Sequence, residues 1–288
     1  MGLQESLKAV SNKDTSWDRT KSTYPKKPFN KQSFVIRLTL TALALLTVFA
    51  FATFDYKDIN LLEAVISTAL TVKTMFFQPL FKHITFFEAI KQLIITLGLA
   101  FLTTLFGSII ALFLGLLAAR NLSNSKLSIV IKAGVAFIRA VPTVLWVLIF
   151  AVAAGLGSVA AVIGMTFHSI SYLVKAYSES FEELDKGVIE ALKASGANWW
   201  QIVFQAVLPS SVSYLISWTF MRFEINFAVA LAMGAAAGAG GIGFDMFMAS
   251  SFYYDVREIG AITYLILAFA ILLELLASKI KKKLRVQG

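Results

Sequence analysis

Glu190, Ala191, Leu192, Gly196, Leu208 and Pro209 fall in a segment, 178–209, whose pattern suits neither a linker nor a membrane span. Val188, Ile189, Ala191, Leu192 and Ser195 recur at the spacing of a short amphipathic helix. Gly196 breaks that helix, and Asn198 suits the cap of a second one that begins at Trp199 and ends at Pro209. Around these helices stand five acidic residues (Glu179, Glu182, Glu183, Asp185, Glu190) against three basic ones (Lys175, Lys186, Lys193). A helix-glycine-helix knuckle of this kind holds no nucleophile. Its chemistry is recognition: an acidic surface that docks a protein, since anionic lipid would repel it. An interfacial loop with a solvated charged face has the same composition, so pattern alone leaves both readings open.

A second group, Arg222, Glu224 and Asn226, interrupts an apolar run over 210–233. A charge near the centre of a lipid-exposed helix costs about 2.5 to 3.5 kcal/mol, so these side chains face protein or water. Arg222 and Glu224 diverge by about 200° around a helix and do not share one path. Glu224 is expected to pair with a basic group on another helix. Arg222 either attracts an anionic substrate or forms a structural salt bridge. Downstream, Gly238, Gly240 and Gly243 satisfy G-x-G-x-x-G literally, but they follow a span, no strand-helix-strand unit surrounds them, and no phosphate-binding lysine follows. With Gly234 and Gly241 they suit close packing or a bent backbone at the outer end of a pathway.

Smaller features complete the inventory. Arg139 and Pro142 open a span at its cytoplasmic end, the arginine as an interface anchor or a partner of the acidic knuckle. Glu88 and Lys91 suit an interfacial ion pair, His168 a polar contact to a neighbouring helix, and Trp199 and Trp200 anchors at the membrane interface. With two histidines and no cysteine there is no metal cluster, and no Ser/His/Asp set or carboxylate pair emerges. The chain does not read as an enzyme and implies no bound cofactor.

The elements that position these residues are helices in a bilayer. At 58% hydrophobic residues and a mean hydropathy of +0.74, the chain carries more apolar surface than a soluble domain of 288 residues could hide. Six stretches are long enough to cross a core about 30 Å thick: 34–54, 88–118, 138–156, 159–177, 210–233 and 258–279. Segment 59–77 has apolar residues at helical spacing but carries Glu63 and Lys73, and reads as an amphipathic helix on the outer surface. Six spans with both ends cytoplasmic place twenty Lys/Arg inside, four outside and two within spans. Positive residues collect on the cytoplasmic face, so the even count is preferred over seven spans. The net charge of +9 therefore flanks spans and is not a nucleic-acid patch. Four regions follow: a cytoplasmic tail over 1–33, a first span with the external segment over 34–85, a membrane domain over 86–280 containing the 178–209 loop, and a basic tail over 281–288.

The loop resembles the EAA signature of ABC importer permeases, in which Glu-Ala-Ala is followed at fixed spacing by Gly and then Leu-Pro. Glu190-Ala191-Leu192, Gly196 and Leu208-Pro209 match that spacing, with Leu192 in place of the second Ala and Ala206 where Ile is frequent. Arg139-Ala140-Val141-Pro142 with Trp146, Gly155-Leu156-Gly157, Arg222-Phe223-Glu224-Ile225-Asn226 and Gly238-Ala239-Gly240-Gly241-Ile242-Gly243 are similar to segments of the phosphonate branch. The resemblance covers about residues 86 to 280. It implies an all-α type I importer fold of about six transmembrane helices in a bacterial inner membrane. It also implies that the knuckle inserts into a separate ATPase, which carries the ATP and Mg. The complete importer would hold two copies of this chain, two ATPases and one external solute-binding protein, with phosphonate, phosphite, hypophosphite or phosphate as cargo. The rivals are a permease for an amino acid or methionine, an ion-coupled secondary transporter, and a membrane scaffold.

Overall fold

The computed structural model describes residues 30–54 and 60–286, and all regular structure among them is helical, as the composition implied. Contacts divide the chain into two units, 1–61 and 62–288. The first contributes α1 (Lys31–Thr53), apolar along its length and capped by Asn30, whose side chain accepts from the backbone N–H of Gln32 and Ser33. The tail over 1–29 lies outside the described residues.

The second unit begins with α2 (Leu61–Phe77) and continues with α3 (Phe86–Ala118), α4 (Ser125–Ala140), α5 (Thr143–Ala154), α6 (Ser158–Glu182), α7 (Lys186–Ala194), α8 (Trp199–Ile202), α9 (Leu208–Ala237), α10 (Ile242–Ser251) and α11 (Val256–Val286). By length and hydropathy α1, α3, α6, the continuous run 199–237 and Val256–Lys279 can each cross a bilayer, and α4 with α5, bent by 90° at the break between them, passes the same test as a broken span or a re-entrant loop. The span expected over 138–156 is corrected here. Pro142 donates no backbone N–H and excludes Val141 from helical geometry, so Val141 sits extended at ψ 124° and the helix breaks. Irregular backbone at membrane depth needs protein or a cavity beside it.

Small residues let the central helices approach. A Cβ on Gly107 of α3 would lie 2.8 Å from Ser169 Cβ of α6, and one on Gly164 of α6 would lie 2.5 Å from the backbone N of Val147 of α5. α3, α6 and α9 thereby pack against one another, with α5 on α6. Their apolar contacts form two clusters. One gathers Leu93, Ala100, Met165, Phe227 and Met233; the other gathers Ala111, Leu173, Tyr177, Phe181 and Val207.

At the end of the bundle where α3 begins, Glu258 in the first turn of α11 is 1% exposed. Its Oε1 accepts the backbone N–H groups of Lys82, His83 and Ile84 at 3.3, 2.9 and 3.1 Å, and its Oε2 meets His83 Nδ1 at 2.6 Å. The loop between α2 and α3 is thus tied to α11, and Tyr264 Oη donates to the Phe76 carbonyl at 2.8 Å. Glu88 makes no ion pair with Lys91: its carboxylate closes a capping box with Thr85, accepting from the Thr85 N–H at 2.8 Å, because the start of α3 needs its orphan N–H groups satisfied. Beside this end, burial acts to raise Asp255, but hydrogen bonds from the Glu258 and Arg257 N–H groups and the charge of Lys82 outweigh it and hold the carboxyl below its ordinary range.

Candidate functional site

The knuckle is built as its residue types dictate. Asp185 caps α7 by accepting from the Gly187 N–H at 2.8 Å. Gly196 ends the helix at φ +84°, where a side chain would be strained. Asn198 and Gln201 form a reciprocal capping box that starts α8 at Trp199. Ile189, 3% exposed, and Leu192 face the second apolar cluster, whereas Val188, Glu190, Ala191 and Lys193 stand exposed. An exposed valine and alanine flank the glutamate, so the outward face is partly apolar.

Three expectations about this region are corrected. The second helix does not end at Pro209. It passes through a π-helical turn, Val203–Val207, into α9, because the turn shifts bonding to i→i+5 and the Leu208 N–H reaches the Val203 carbonyl; Pro209, which needs no such bond, lies in the first turn of α9 beside Leu208. The separate loop is therefore 183–198, since α6 runs to Glu182. Second, the acidic face is smaller than the composition implied: Glu182 turns inward to the Lys132 ammonium at 2.7 Å and the Arg120 N–H at 2.8 Å, and Asp185 is used as a cap. Lys132, not Arg139, is the basic partner; Arg139 forms no ion pair among the described residues. Third, Trp199 is a strut. Its Nε1 donates to the Leu122 carbonyl at 2.9 Å while Asn121 donates to the Phe181 carbonyl at 2.8 Å, fastening the knuckle to the α3–α4 loop. Trp200 alone is exposed, stacked on Phe204. Trp199→Phe is expected to loosen the knuckle by about 1 kcal/mol, the worth of one hydrogen bond, read as faster amide exchange over 186–198 with little change in the spans.

Between the two apolar clusters lies a polar layer. Thr104 of α3, Ser169 of α6 and Asn226 of α9 are all buried; Asn226 Nδ2 donates to Thr104 Oγ1 at 2.9 Å and to Ser169 Oγ at 3.0 Å. Arg222, 2% exposed, donates from Nε to the same Ser169 Oγ at 3.1 Å, and its guanidinium carbon stands 5.2 Å from the Tyr172 ring centroid. No carboxylate lies within ion-pair distance of it, so the structural salt bridge considered for Arg222 is absent among the described residues. Glu224 is half-buried on the same helix. His168 makes no side-chain contact of the kind expected: its Nδ1 is buried without a hydrogen-bond partner. Thr104, Ser169 and Tyr172 were not singled out from sequence, though hydroxyls clustered within apolar runs at Thr103, Thr104, Thr166, Ser169 and Ser171 were a usable signal.

The glycine run is a tight reversal. Gly238 caps α9 in the left-handed region at φ +60°, Gly240 and Gly241 also hold positive φ, and α10 folds back against α9. A Cβ on Gly243 would collide with the Leu231 carbonyl, and one on Gly241 with Thr96 Oγ1. The run thus combines close packing with a bent backbone, the two features its residue types suit. Gly243→Ala is expected to destabilise the chain by about 1 to 3 kcal/mol through forced backbone movement, checked by thermal unfolding in detergent. In α10, burial pushes the Asp245 carboxyl up, and the charges of Glu258 and Glu88 add to the shift. No three His, Asp or Glu side chains among the described residues converge on a metal geometry.

Residues 111–285 match the model of the binding-protein-dependent transport system inner membrane component family. The chain is 32% identical over 66% of its length to the phosphate-import permease protein of Mycolicibacterium smegmatis, spanning 35% of that protein. It is 31% identical over 67% of its length to the phosphite transport system permease protein of Stutzerimonas stutzeri, spanning 70% of that one. A D-methionine transport system permease protein of Pasteurella multocida is 30% identical over 51% of the chain and 73% of its own length. Among solved structures, an inward-facing MetNI methionine ABC transporter superposes with a TM-score of 0.64 at 23% identity, over 71% of this chain and 99% of that one. The type I importer permease fold is therefore established.

Proposed function

The chain belongs to the family of binding-protein-dependent transport system inner membrane components, and from that premise we propose that it forms the membrane path of an ATP-driven importer for a phosphorus oxyanion. The observation that carries the coupling half of this reading is the knuckle: Glu190 and Ala191 exposed on α7, the kink at Gly196, and α8 running on into the membrane-spanning α9 through Leu208 and Pro209. Force applied to such a knuckle passes directly into α9 and, through Trp199 and Lys132, into the α3–α4 segment. An ATPase seated there would supply the ATP and Mg2+ chemistry, and this chain would supply none. Because each chain carries one knuckle and ATP closure joins two ATPases, two copies of the chain are expected, together with an external solute-binding protein. The knuckle end and both termini then face the cytoplasm of a bacterial inner membrane.

The phosphorus oxyanion follows from the names of the phosphate and phosphite relatives; methionine is the second cargo, favoured by the methionine permease among the relatives. The test is co-purification with an ATPase subunit, followed by ATP hydrolysis stimulated by the solute-binding protein loaded with phosphonate, phosphite, phosphate or methionine. The expected result is stimulation by a phosphorus oxyanion. Failure of any ATPase to bind overturns the reading, as does uptake that persists without ATP, which belongs to a secondary transporter. Uptake unchanged by deletion of Glu190 to Gly196 belongs to a scaffold.

A further inference from the structure

A cleft of about 780 Å3 opens at the end of the bundle where α3 begins, between the 79–86 segment and one face of α11. On α11 the lining residues Ala261, Tyr264, Leu265 and Ala268 recur at helical spacing, so they form a single stripe along the helix. The two alanines leave depth, and Tyr264 is held aside: its Oη donates to the Phe76 carbonyl at 2.8 Å and its ring stands edge-on to that of Phe76. Gly260 lets α2 seat behind this wall, since a Cβ there would collide with the Met75 carbonyl. The facing wall is fixed as well, because the Leu80 N–H donates to the Arg257 carbonyl at 3.1 Å and Glu258 gathers the N–H groups of Lys82, His83 and Ile84. The volume falls within the range of about 300 to 1,000 Å3 usual for ligand sites.

The cleft runs down α11 at the depth of one leaflet. The apolar run that can cross the bilayer starts at Val256, and the lining from Ala261 to Ala268 covers about 10 Å of helix, within a half-core about 15 Å deep. Beside the cleft the exposed rings of Phe86 and Tyr253 accompany exposed Lys82 and Arg257, the mixture that collects at a membrane interface. The carboxylates at this end are already engaged. Glu258 meets four donors, Asp255 accepts from the Arg257 and Glu258 N–H groups, and Glu88 closes the Thr85 capping box; Asp245 of α10 is no part of the lining. Lys82 leans on Asp255 at 3.6 Å with its side chain 64% exposed, and an ammonium carries three donors.

We propose that this cleft holds one anionic phospholipid, an acyl chain lying along Ala261, Leu265 and Ala268 and the headgroup phosphate accepting from the Lys82 ammonium. The chain supplies affinity through apolar contact, and the phosphate supplies the preference for negative charge. A free oxyanion has no apolar part to set against the alanine stripe, so it is an unsuitable occupant. The bound lipid bridges the 79–86 segment and α11, the same two walls that Glu258 joins. None of this depends on the cargo; a membrane-spanning α11 is enough.

The test adds phosphatidylglycerol or phosphatidylcholine to the full chain in dodecyl maltoside and counts the retained lipid by native mass spectrometry. One phosphatidylglycerol per chain is expected, retained about threefold over phosphatidylcholine, as one exposed charge would give. Lys82→Ala is expected to erase that preference. Ala268 is exposed, so Ala268→Trp fills the lower cleft without disturbing the packing of α11 and is expected to cut retention of both lipids about tenfold, the worth of about two displaced acyl methylenes. Thermal unfolding midpoints of both variants should match that of the unmodified chain, and excess inorganic phosphate should displace no lipid. Retention unchanged by both variants overturns the lipid site, and so does displacement by phosphate, which assigns Lys82 to a free oxyanion. Loss of dimer on Ala268→Trp with lipid retention unchanged assigns the cleft to a second copy of the chain and likewise overturns it.

Discussion

Ala191→Asp is expected to abolish ATP-driven uptake while leaving the chain as stable as before. Ala191 sits on the exposed face of α7, next to Glu190 and one turn from Val188, which is 42% exposed. The opposite face, Ile189 and Leu192, is packed into the bundle and is untouched by the change. Surface substitutions away from such packing alter stability by no more than about 0.5 kcal/mol. In the proposed complex, by contrast, the new carboxylate is buried against the ATPase without a partner, at a cost of about 2 to 5 kcal/mol. That is a loss of about thirtyfold to several thousandfold in affinity. The measurement pairs thermal unfolding of the purified chain with ATPase co-purification and uptake in reconstituted vesicles. Lys193→Ala on the same exposed surface is the control, expected to change uptake little because it introduces no unpaired charge. Undiminished uptake by the aspartate variant sinks the docking role of this face.

That prediction was almost wholly legible in the sequence, and the reason is local. Asp185, Gly196, Asn198 and Gln201 act within four residues of themselves, so capping rules place both short helices without knowledge of the rest of the fold. The errors come where a partner is distant. Asn226 meets Thr104 across 122 positions and Trp199 meets Leu122 across 77, so neither contact has a periodic signature. Of the two roles read for Arg139, interface anchor or partner of the acidic knuckle, the second failed because α4 presents Lys132, not Arg139, to Glu182. The span over 138–156 failed because a hydropathy window sums apolar residues and ignores the φ restriction at Pro142, which turns the chain by 90°. Continuity through Pro209 was missed for a related reason: a proline reads as a stop, but a π-helical turn ahead of it removes the conflict.

Glu258→Ala is expected to destabilise the chain by on the order of 3 to 5 kcal/mol, because it removes a buried acceptor shared by four donors. Glu258 was passed over in the sequence because an acid in the first turn of a helix is ordinary there. In the fold it is the one acceptor for three successive backbone N–H groups and for the His83 ring, which itself stacks on Tyr253 at 3.9 Å. Truncation removes the acceptor those donors share, a carboxylate on a residue that is 1% exposed. The loop over 78–85 then detaches from α11, and with it the start of α3, whose capping box begins at Thr85. Lys82→Ala separates this effect from simple charge loss. The Lys82 to Asp255 pair spans 3.6 Å with the ammonium well exposed, and an exposed pair is worth no more than about 1 kcal/mol. Thermal unfolding in detergent, with limited proteolysis of the 78–85 loop, should therefore show early cleavage and a lowered midpoint for Glu258→Ala and neither for Lys82→Ala. Equal behaviour of the two variants would mean that the loop is held by its apolar contacts, Phe81 and Ile84 against the first cluster, and not by the carboxylate.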